Sequence, residues 1–355
     1  MIKLLIVGSF KACYGPEEAS GTVVSLRYLV EDLKNSEEAI VETVDIGSIR
    51  RGEGSRKGTK AISLFGRIKE LWLRSKSVDL VSLHLSPMGF AVFGPFALCI
   101  ARIRRKPITF RLFGGMDYES LPFAARCIAK VAIRRMDCVF AQTKALRDAF
   151  SARGLKNVVW YPTTRPMPAE DIANPHDSDA KDYIYVGHIK LGKGIVELVE
   201  AFRQLGPAYR LNVYGPFYDN LNEEVFADVS NVTYGGVLAH NDVRAHLEGS
   251  KALVFPTYLP AEGYSGIILE SFGAGLPVIC TEWNYLPELV DNECGILIEP
   301  RNVQAIVDAV RSFDSDIELQ QRLSDGSYAR RTEYSLKSAR KRFLDECHQL
   351  SGFSG

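Results

Sequence analysis

Short β-rich apolar runs alternate along this chain with stretches whose apolar positions recur at the helical period. LLIVG at 4–8, IVETVD at 40–45, VDLVSLH at 78–84, PITFRLF at 107–113 and CVFAQ at 138–142 predict strands; 21–34, 62–75, 88–104, 119–135 and 143–153 predict helices between them. This alternation implies a parallel sheet covered by helices on both faces. A proline-rich polar stretch at 161–181 interrupts it and is the linker candidate. The rhythm then restarts: YIYVG at 183–187, a helix over 193–205, YRLNVYG at 209–215, NVTYGG at 231–236, ALVFP at 252–256, a glutamate-bearing helix, PVICT at 277–281 and CGILIEP, with helices near 302–313, 315–331 and 335–350. The expected architecture is α/β, two doubly wound parallel-sheet domains in tandem. The first spans 1–165, the linker 166–181 and the second 182–334, and a C-terminal helix over 335–355 can pack back on the first. Ligands of open α/β sheets bind beyond the carboxyl ends of strands, so two such sheets facing each other predict a cleft with the linker as hinge.

Composition changes this picture only in its charge. At 355 residues, 46% hydrophobic and 24% charged, the chain is ordinary for a two-domain globular protein. Residues 1–165 hold 27 Lys and Arg against 15 Asp and Glu, whereas 166–355 hold 16 against 28. A half at +12 beside a half at −12 points the first toward an anionic partner, nucleic acid or an anionic membrane surface, unless both charge sets are simply solvated. Seven cysteines without a CxxC pair read as reduced thiols of a cytosolic protein, and MIKLLIVGSF begins as a strand with no leader pattern. The most apolar stretch, 85–101, is interrupted by Pro87, Gly89, Gly94 and Pro95 and falls short of the roughly 20 residues of a spanning helix. It reads as a packed helix, although Arg102, Arg104, Arg105 and Lys106 beside it leave a peripheral membrane contact open.

The chemistry concentrates in EGYSGIILE at 262–270. Glu270 stands among Ile267, Ile268, Leu269 and Phe272, where a carboxylate needs a hydrogen-bonding partner or loses its charge. Gly263 and Gly266 open the helix so that backbone N–H groups can face an anion. The segment therefore predicts a phosphate at the helix N-terminus and carboxylates gripping hydroxyls nearby.

These residues carry a family resemblance. YVGHIKLGKGIVELVEAF at 185–202, LNVYGP at 211–216, FPTYLPAEGYSGIILESFGAGLPVI at 255–279 and LPELVDNECGILIEP at 286–300 resemble the C-terminal domain of the family 4 retaining glycosyltransferases, which have the GT-B fold. The likeness rests on the Glu-x7-Glu spacing, the glycines between, the small-residue turn before Pro-Val-Ile and the lysine-glycine pair upstream; the N-terminal half matches mainly in strand rhythm. It implies a nucleotide-diphosphate sugar donor such as a UDP- or GDP-sugar, transfer with retention, and no cofactor or metal, no acidic DxD-like pair appearing in a convincing loop. Carried over, Glu262 contacts the donor sugar and Glu270 the ribose hydroxyls. Gly263, Tyr264, Ser265 and Gly266 offer backbone N–H groups, and Lys193 neutralises the departing diphosphate. Gly215, closing LNVYG, joins the donor-side set.

Two departures stand out. Where relatives have an arginine, this chain has His188, so Lys190 or a first-domain cation is expected to supply charge. Where relatives have His-Gly after the fourth strand, FRLFGGMD puts Phe113, leaving Arg111, Gly114, Gly115 and Asp117 as local polar and flexible groups. His84, ending a strand, is either a base facing the acceptor or a satisfied core histidine. GPEEASGT at 15–22, with Gly21 and Thr22, opens the first long helix and either approaches phosphate or only turns the chain.

The acceptor is expected from the basic half, as a saccharide or lipid-linked saccharide of cell-surface polysaccharide synthesis. LFGRIKELWLRSK at 64–76 presents Leu64, Phe65, Ile68, Leu71 and Trp72 among cations, which suits either an anionic membrane surface or a core-facing Rossmann helix. A sugar-nucleotide epimerase, a phosphorylase and a non-catalytic sugar-nucleotide-binding protein remain alternatives. A nicotinamide oxidoreductase is disfavoured, since no GxGxxG follows the first strand. Nucleic acid is not expected as a partner, because the cations lack interleaved exposed aromatics.

Overall fold

The computed structural model describes residues 1–10, 21–47, 57–113, 121–169, 173–175 and 180–352. It divides into two compact units, Met1–Thr164 with Leu336–Gly355, and Arg165–Ser335. Residues 166–181, expected as a linker, are thus counted with the second unit. Asn174 Nδ2 reaches Ser324 Oγ at 2.9 Å, and a side chain at Gly273 would press on Met167 and Pro168.

In the first unit, β1 (Ile2–Gly8), β2 (Ala39–Asp45), β3 (Leu80–His84), β4 (Ile108–Leu112), β5 (Cys138–Ala141) and β6 (Val158–Trp160) form one parallel sheet in the order β2-β1-β3-β4-β5-β6. The near-continuous apolar strands follow from burial on both faces. The helices between them are α1 (Gly21–Asn35), α2 (Lys57–Arg74), α3 (Pro87–Arg104), α4 (Phe123–Ile133) and α5 (Lys144–Ala152). Because the order reverses after β1 while crossovers stay right-handed, α1 covers one face and α2 to α5 the other. Two separate cores record this. Leu71, Phe93, Ala97 and Ala132 share one, and Leu26, Leu29 and Leu33 belong to the second.

In the second unit, β7 (Asp182–Val186), β8 (Arg210–Tyr214), β9 (Val232–Tyr234), β10 (Leu253–Phe255), β11 (Val278–Thr281) and β12 (Gly295–Ile298) form a parallel sheet ordered β12-β11-β10-β7-β8-β9. Helices α6 (Ile195–Leu205), α7 (Val243–Glu248), α8 (Gly266–Ala274), α9 (Val303–Ser315) and α10 (Ile317–Arg330) surround it. The order reverses between β7 and β10, so the carboxyl ends of these two neighbours form the switch point where ligands of such sheets bind.

The last helix, α11 (Leu336–Ser351), belongs to the first unit and lies on α1. Phe343 and Leu344 enter the core beneath α1, with the Phe343 ring 5.3 Å from Phe140 and 6.0 Å from Tyr161. Outside, Arg340 pairs with Asp32 and Glu38, each at 2.8 Å.

On α2, Leu71 is fully buried and Leu64 and Ile68 pack against the core, while Phe65, Trp72 and Leu73 face outward. The five apolar residues singled out on this helix are therefore divided: Leu64, Ile68 and Leu71 form the core face of a Rossmann helix, and Phe65 and Trp72 lie outside it.

Candidate active site

The site assembles where β7 and β10 end. After β7 the chain makes a single 3-10 turn, Leu191–Lys193, and Gly194 opens α6 at φ 74°. Only glycine suits this position, since a Cβ there would overlap the Pro256 carbonyl beyond β10. The close approach is pinned by Tyr258 N donating to Gly192 O at 2.9 Å. It carries Lys193 across to the loop after β10, where Nζ lies 2.6 Å from Glu262 Oε2 and 4.7 Å from the centre of the Phe255 ring.

Thr257 Oγ1 donates to the same Glu262 oxygen at 2.9 Å. Thr257 is held in turn by its carbonyl, which accepts from Thr281 Oγ1 at the end of β11. The rest of the loop hangs on residues after β11: Trp283 Nε1 donates to Leu259 O at 2.9 Å and Asn284 Nδ2 to Pro260 O at 3.0 Å. Glu262 thus has a fixed position with one oxygen committed. Among the described residues Oε1 makes no hydrogen bond.

The second carboxylate shows the same division of labour. Glu270, in the second turn of α8, accepts from Arg165 Nε at 2.6 Å through Oε1, the side chains being 6% and 19% exposed, and Oε2 makes no hydrogen bond among the described residues. The Arg165 guanidinium lies against the first residue of α8, where a Cβ at Gly266 would overlap Nη2. Ser265 caps that end with extended backbone and no side-chain hydrogen bond, so the helix keeps its N-terminal partial positive charge. A guanidinium, a helix N-terminus and an ammonium thus border two half-satisfied carboxylates. Chemically, such an arrangement can hold an anion and accept hydrogen bonds from hydroxyls.

Other donor-side residues fall around this centre. Gly263 is half-buried in the loop, and Tyr264 is buried with its hydroxyl donating to Glu288 Oε2 at 2.6 Å, leaving only its backbone for a ligand. Gly215 ends β8 at φ 143°, and a Cβ would overlap Gly187 O, so this glycine lets the β7 and β8 ends meet. His188 is exposed with its ring 4.6 Å from Tyr218, and Lys190 is half-buried just before the turn. The carbonyl of His188 accepts from Tyr185 Oη at 2.8 Å; burial first and the Glu262 charge second push that phenol's pKa up, keeping it a donor.

Of the described first-unit candidates, two are buried. His84 and Arg111 are 5% and 1% exposed. Ser82 Oγ lies 3.0 Å from His84 Nε2 and accepts from Thr109 Oγ1 at 2.8 Å, while His84 Nδ1 has no hydrogen-bond partner among the described residues. Burial, then the Arg111 charge, holds the His84 pKa well below its ordinary value. Arg111 stacks between the Phe113 and Tyr161 rings, 4.6 Å from each, and donates to Pro162 O. His84 is therefore buried in the core with one ring nitrogen paired and the other not, and Arg111 is buried as well. Gly21 and the half-buried Thr22 begin α1, while Gly114, Gly115 and Asp117 lie outside the described residues.

Sequence reasoning missed Arg165, Thr257 and Asn284. Arg165 stands in the proline-rich stretch and its partner lies 105 positions on, which no local pattern reveals. Thr257 and Asn284 follow β10 and β11 directly, where the carboxyl-end rule would have pointed.

Residues 167–330 match the family described as Glycosyl transferases group 1. Among curated proteins, TuaC of Bacillus subtilis (strain 168), named for a glycosyltransferase of teichuronic acid biosynthesis, is 27% identical over 150 residues, 42% of this chain and 37% of TuaC. O-antigen chain mannosyltransferase B of Escherichia coli is 26% identical over 132 residues, 35% of this chain and 34% of that protein. The chain thus spans about a third of each of these relatives. Among solved structures, Anabaena HepE in complex with UDP superposes with a TM-score of 0.73 at 14% identity, covering 99% of this chain and 100% of HepE. Residues 167–330 are thus similar to the glycosyl transferases group 1, and the two Rossmann-like units of the chain have the GT-B fold.

Proposed function

We propose that this protein is a retaining glycosyltransferase of family 4, moving a sugar from a nucleotide-diphosphate sugar to an acceptor hydroxyl. One observation carries the reading: among the described residues Glu262 and Glu270 each have one oxygen paired with a cation and the other without a hydrogen bond, beside the N-terminus of α8, where Ser265 makes no side-chain cap. In this reading Glu270 Oε2 accepts from the ribose hydroxyls and Glu262 Oε1 from a sugar hydroxyl, while the α8 N–H groups and Lys193 meet the diphosphate. HepE, similar in fold, was crystallised with UDP and with UDP-glucose, which supports a sugar nucleotide as donor.

As the sugar–phosphate bond breaks, charge gathers on the leaving diphosphate, and a fixed ammonium stabilises that charge more than the ground state. Lys193 takes the role a metal plays elsewhere. The pairing with Glu262 keeps it in place beforehand, which removes reorganisation from the barrier. The acceptor hydroxyl attacks from the face the diphosphate leaves and passes its proton to a phosphate oxygen, so no carboxylate nucleophile is needed. The teichuronic acid and O-antigen chains in the names of TuaC and the mannosyltransferase support a saccharide or lipid-linked saccharide as acceptor.

Incubation with a panel of UDP-, GDP-, ADP- and TDP-sugars and short saccharide acceptors tests this by NMR of the product. Acceptor-dependent release of nucleoside diphosphate with an unchanged anomeric configuration is expected. An inverted product, or an altered sugar still attached to the nucleotide, contradicts it.

A further inference from the structure

Helices α3 and α4 pack along each other on one face of the first unit's sheet, and each is apolar on two sides. The inner side of α3 is core, with Phe90 stacked on Phe110 at 3.9 Å. Its outer side exposes Met88, Val92, Phe96 and Ile103, whose spacing of four, four and seven draws a single stripe down the helix. On α4, Ile128 and Val131 are exposed as well. Between the helices runs a groove of about 370 Å³ lined by Pro95, Leu98, Ile128 and Val131. By length and hydropathy α3 resembles a membrane-crossing segment, yet 39% of it is buried in the fold. Its excess apolarity therefore lies on the outside.

Charge says what covers this face. Neither α3 nor α4 contains an Asp or Glu. Arg105 and Lys106 stand at the end of α3, where Arg102 is paired with Asp137 at 2.9 Å, and Arg126, Lys130 and Arg134 stand along and just after α4. The Arg104 guanidinium covers the Trp72 ring at 4.0 Å and extends the margin to α2. A second copy of this chain would bring cations against cations, and a nucleic acid has no use for the apolar stripe. A layer of apolar chains beneath anionic headgroups complements both features.

We propose that the α3–α4 face docks on an anionic lipid bilayer. The surface differs from the α2 stripe singled out in the sequence, whose core side is buried, and it does not depend on the donor site of the second unit.

Co-sedimentation of the full chain with vesicles tests it. Binding to vesicles of 30% phosphatidylglycerol in phosphatidylcholine is expected at 50 mM salt, at least tenfold weaker with phosphatidylcholine alone and at 500 mM salt. Val92→Glu with Phe96→Glu, and separately Lys130→Glu with Arg134→Glu, should each lower that binding at least tenfold with an unchanged melting temperature. Failure of the wild type to bind overturns the proposal. So does undiminished binding by either variant, or a dimer in solution that the first pair of substitutions splits while vesicles are ignored. Should the first variant fold poorly, the second decides, because its substitutions lie on exposed positions.

Discussion

Lys193, Glu262, Arg165 and Glu270 form two ion pairs with unlike tasks, and substitution separates them. On the proposed mechanism Lys193→Ala removes the charge that answers the leaving group, so kcat is expected to fall about 10²- to 10³-fold with a smaller change in donor Kd. Equal loss in donor affinity at unchanged kcat would contradict that role. Arg165→Ala strands Glu270 among apolar neighbours and takes a guanidinium from the α8 terminus. It should cost about 3 kcal/mol of stability, read as a lowered Tm, and weaken nucleoside diphosphate binding about tenfold, with Arg165→Lys recovering part of both. His84 provides a pH signature apart from the site. Its folded pKa is depressed by burial and by Arg111, while the unfolded chain takes up the proton near pH 6.5. The stability is therefore present above pH 6.5 and lost as pH falls below it, by up to about 1.4 kcal/mol per pH unit for one proton. Tm measured between pH 7.5 and 5.5 should slope accordingly, and His84→Gln should remove that slope.

At the scale of elements, Gly194→Ala is the sharpest prediction. The substitution forces a side chain into left-handed backbone and against the Pro256 carbonyl, so the turn carrying Lys193 must shift. Tm and turnover should fall together, by contrast with Lys193→Ala, which leaves the turn intact. The strands were legible because parallel-sheet strands, buried on both faces, read as continuous apolar runs. Two short elements were not: β6, a three-residue edge strand whose residues are only half-buried, and α7, whose six residues are too few for the helical period to show. The two sides of α2 and of α3 were not legible either. A helix over a sheet and a helix on a membrane share one amphipathic pattern, and only the packing of Leu71 and Phe90 says which stripe faces inward. Glu270 shows both the reach and the limit of the residues: its apolar surroundings announced a partner, but no spacing names Arg165.

For the whole molecule, the opposed charges of the two halves fall on different tasks. The first, with 27 basic against 15 acidic residues up to position 165, carries the cation-rimmed apolar face. The second, acidic overall from position 166, places Lys193 and the α8 terminus beside Arg165 at one switch point, so on the proposed reading a donor's charge is met locally rather than by the net field. Raising salt should therefore release the protein from anionic vesicles while leaving its donor affinity within about threefold, since buried pairs are screened far less than exposed ones. The claim beneath all of this is that Glu270 accepts from the ribose while the α8 terminus holds the diphosphate. Titration calorimetry with UDP, or with GDP should that be the nucleotide bound, and its 2′,3′-dideoxy analogue, on wild type and Glu270→Ala, addresses it as a double cycle. Loss of the two hydroxyls should weaken wild-type binding at least tenfold and leave the Glu270→Ala variant unaffected; equal losses in both proteins would contradict the account.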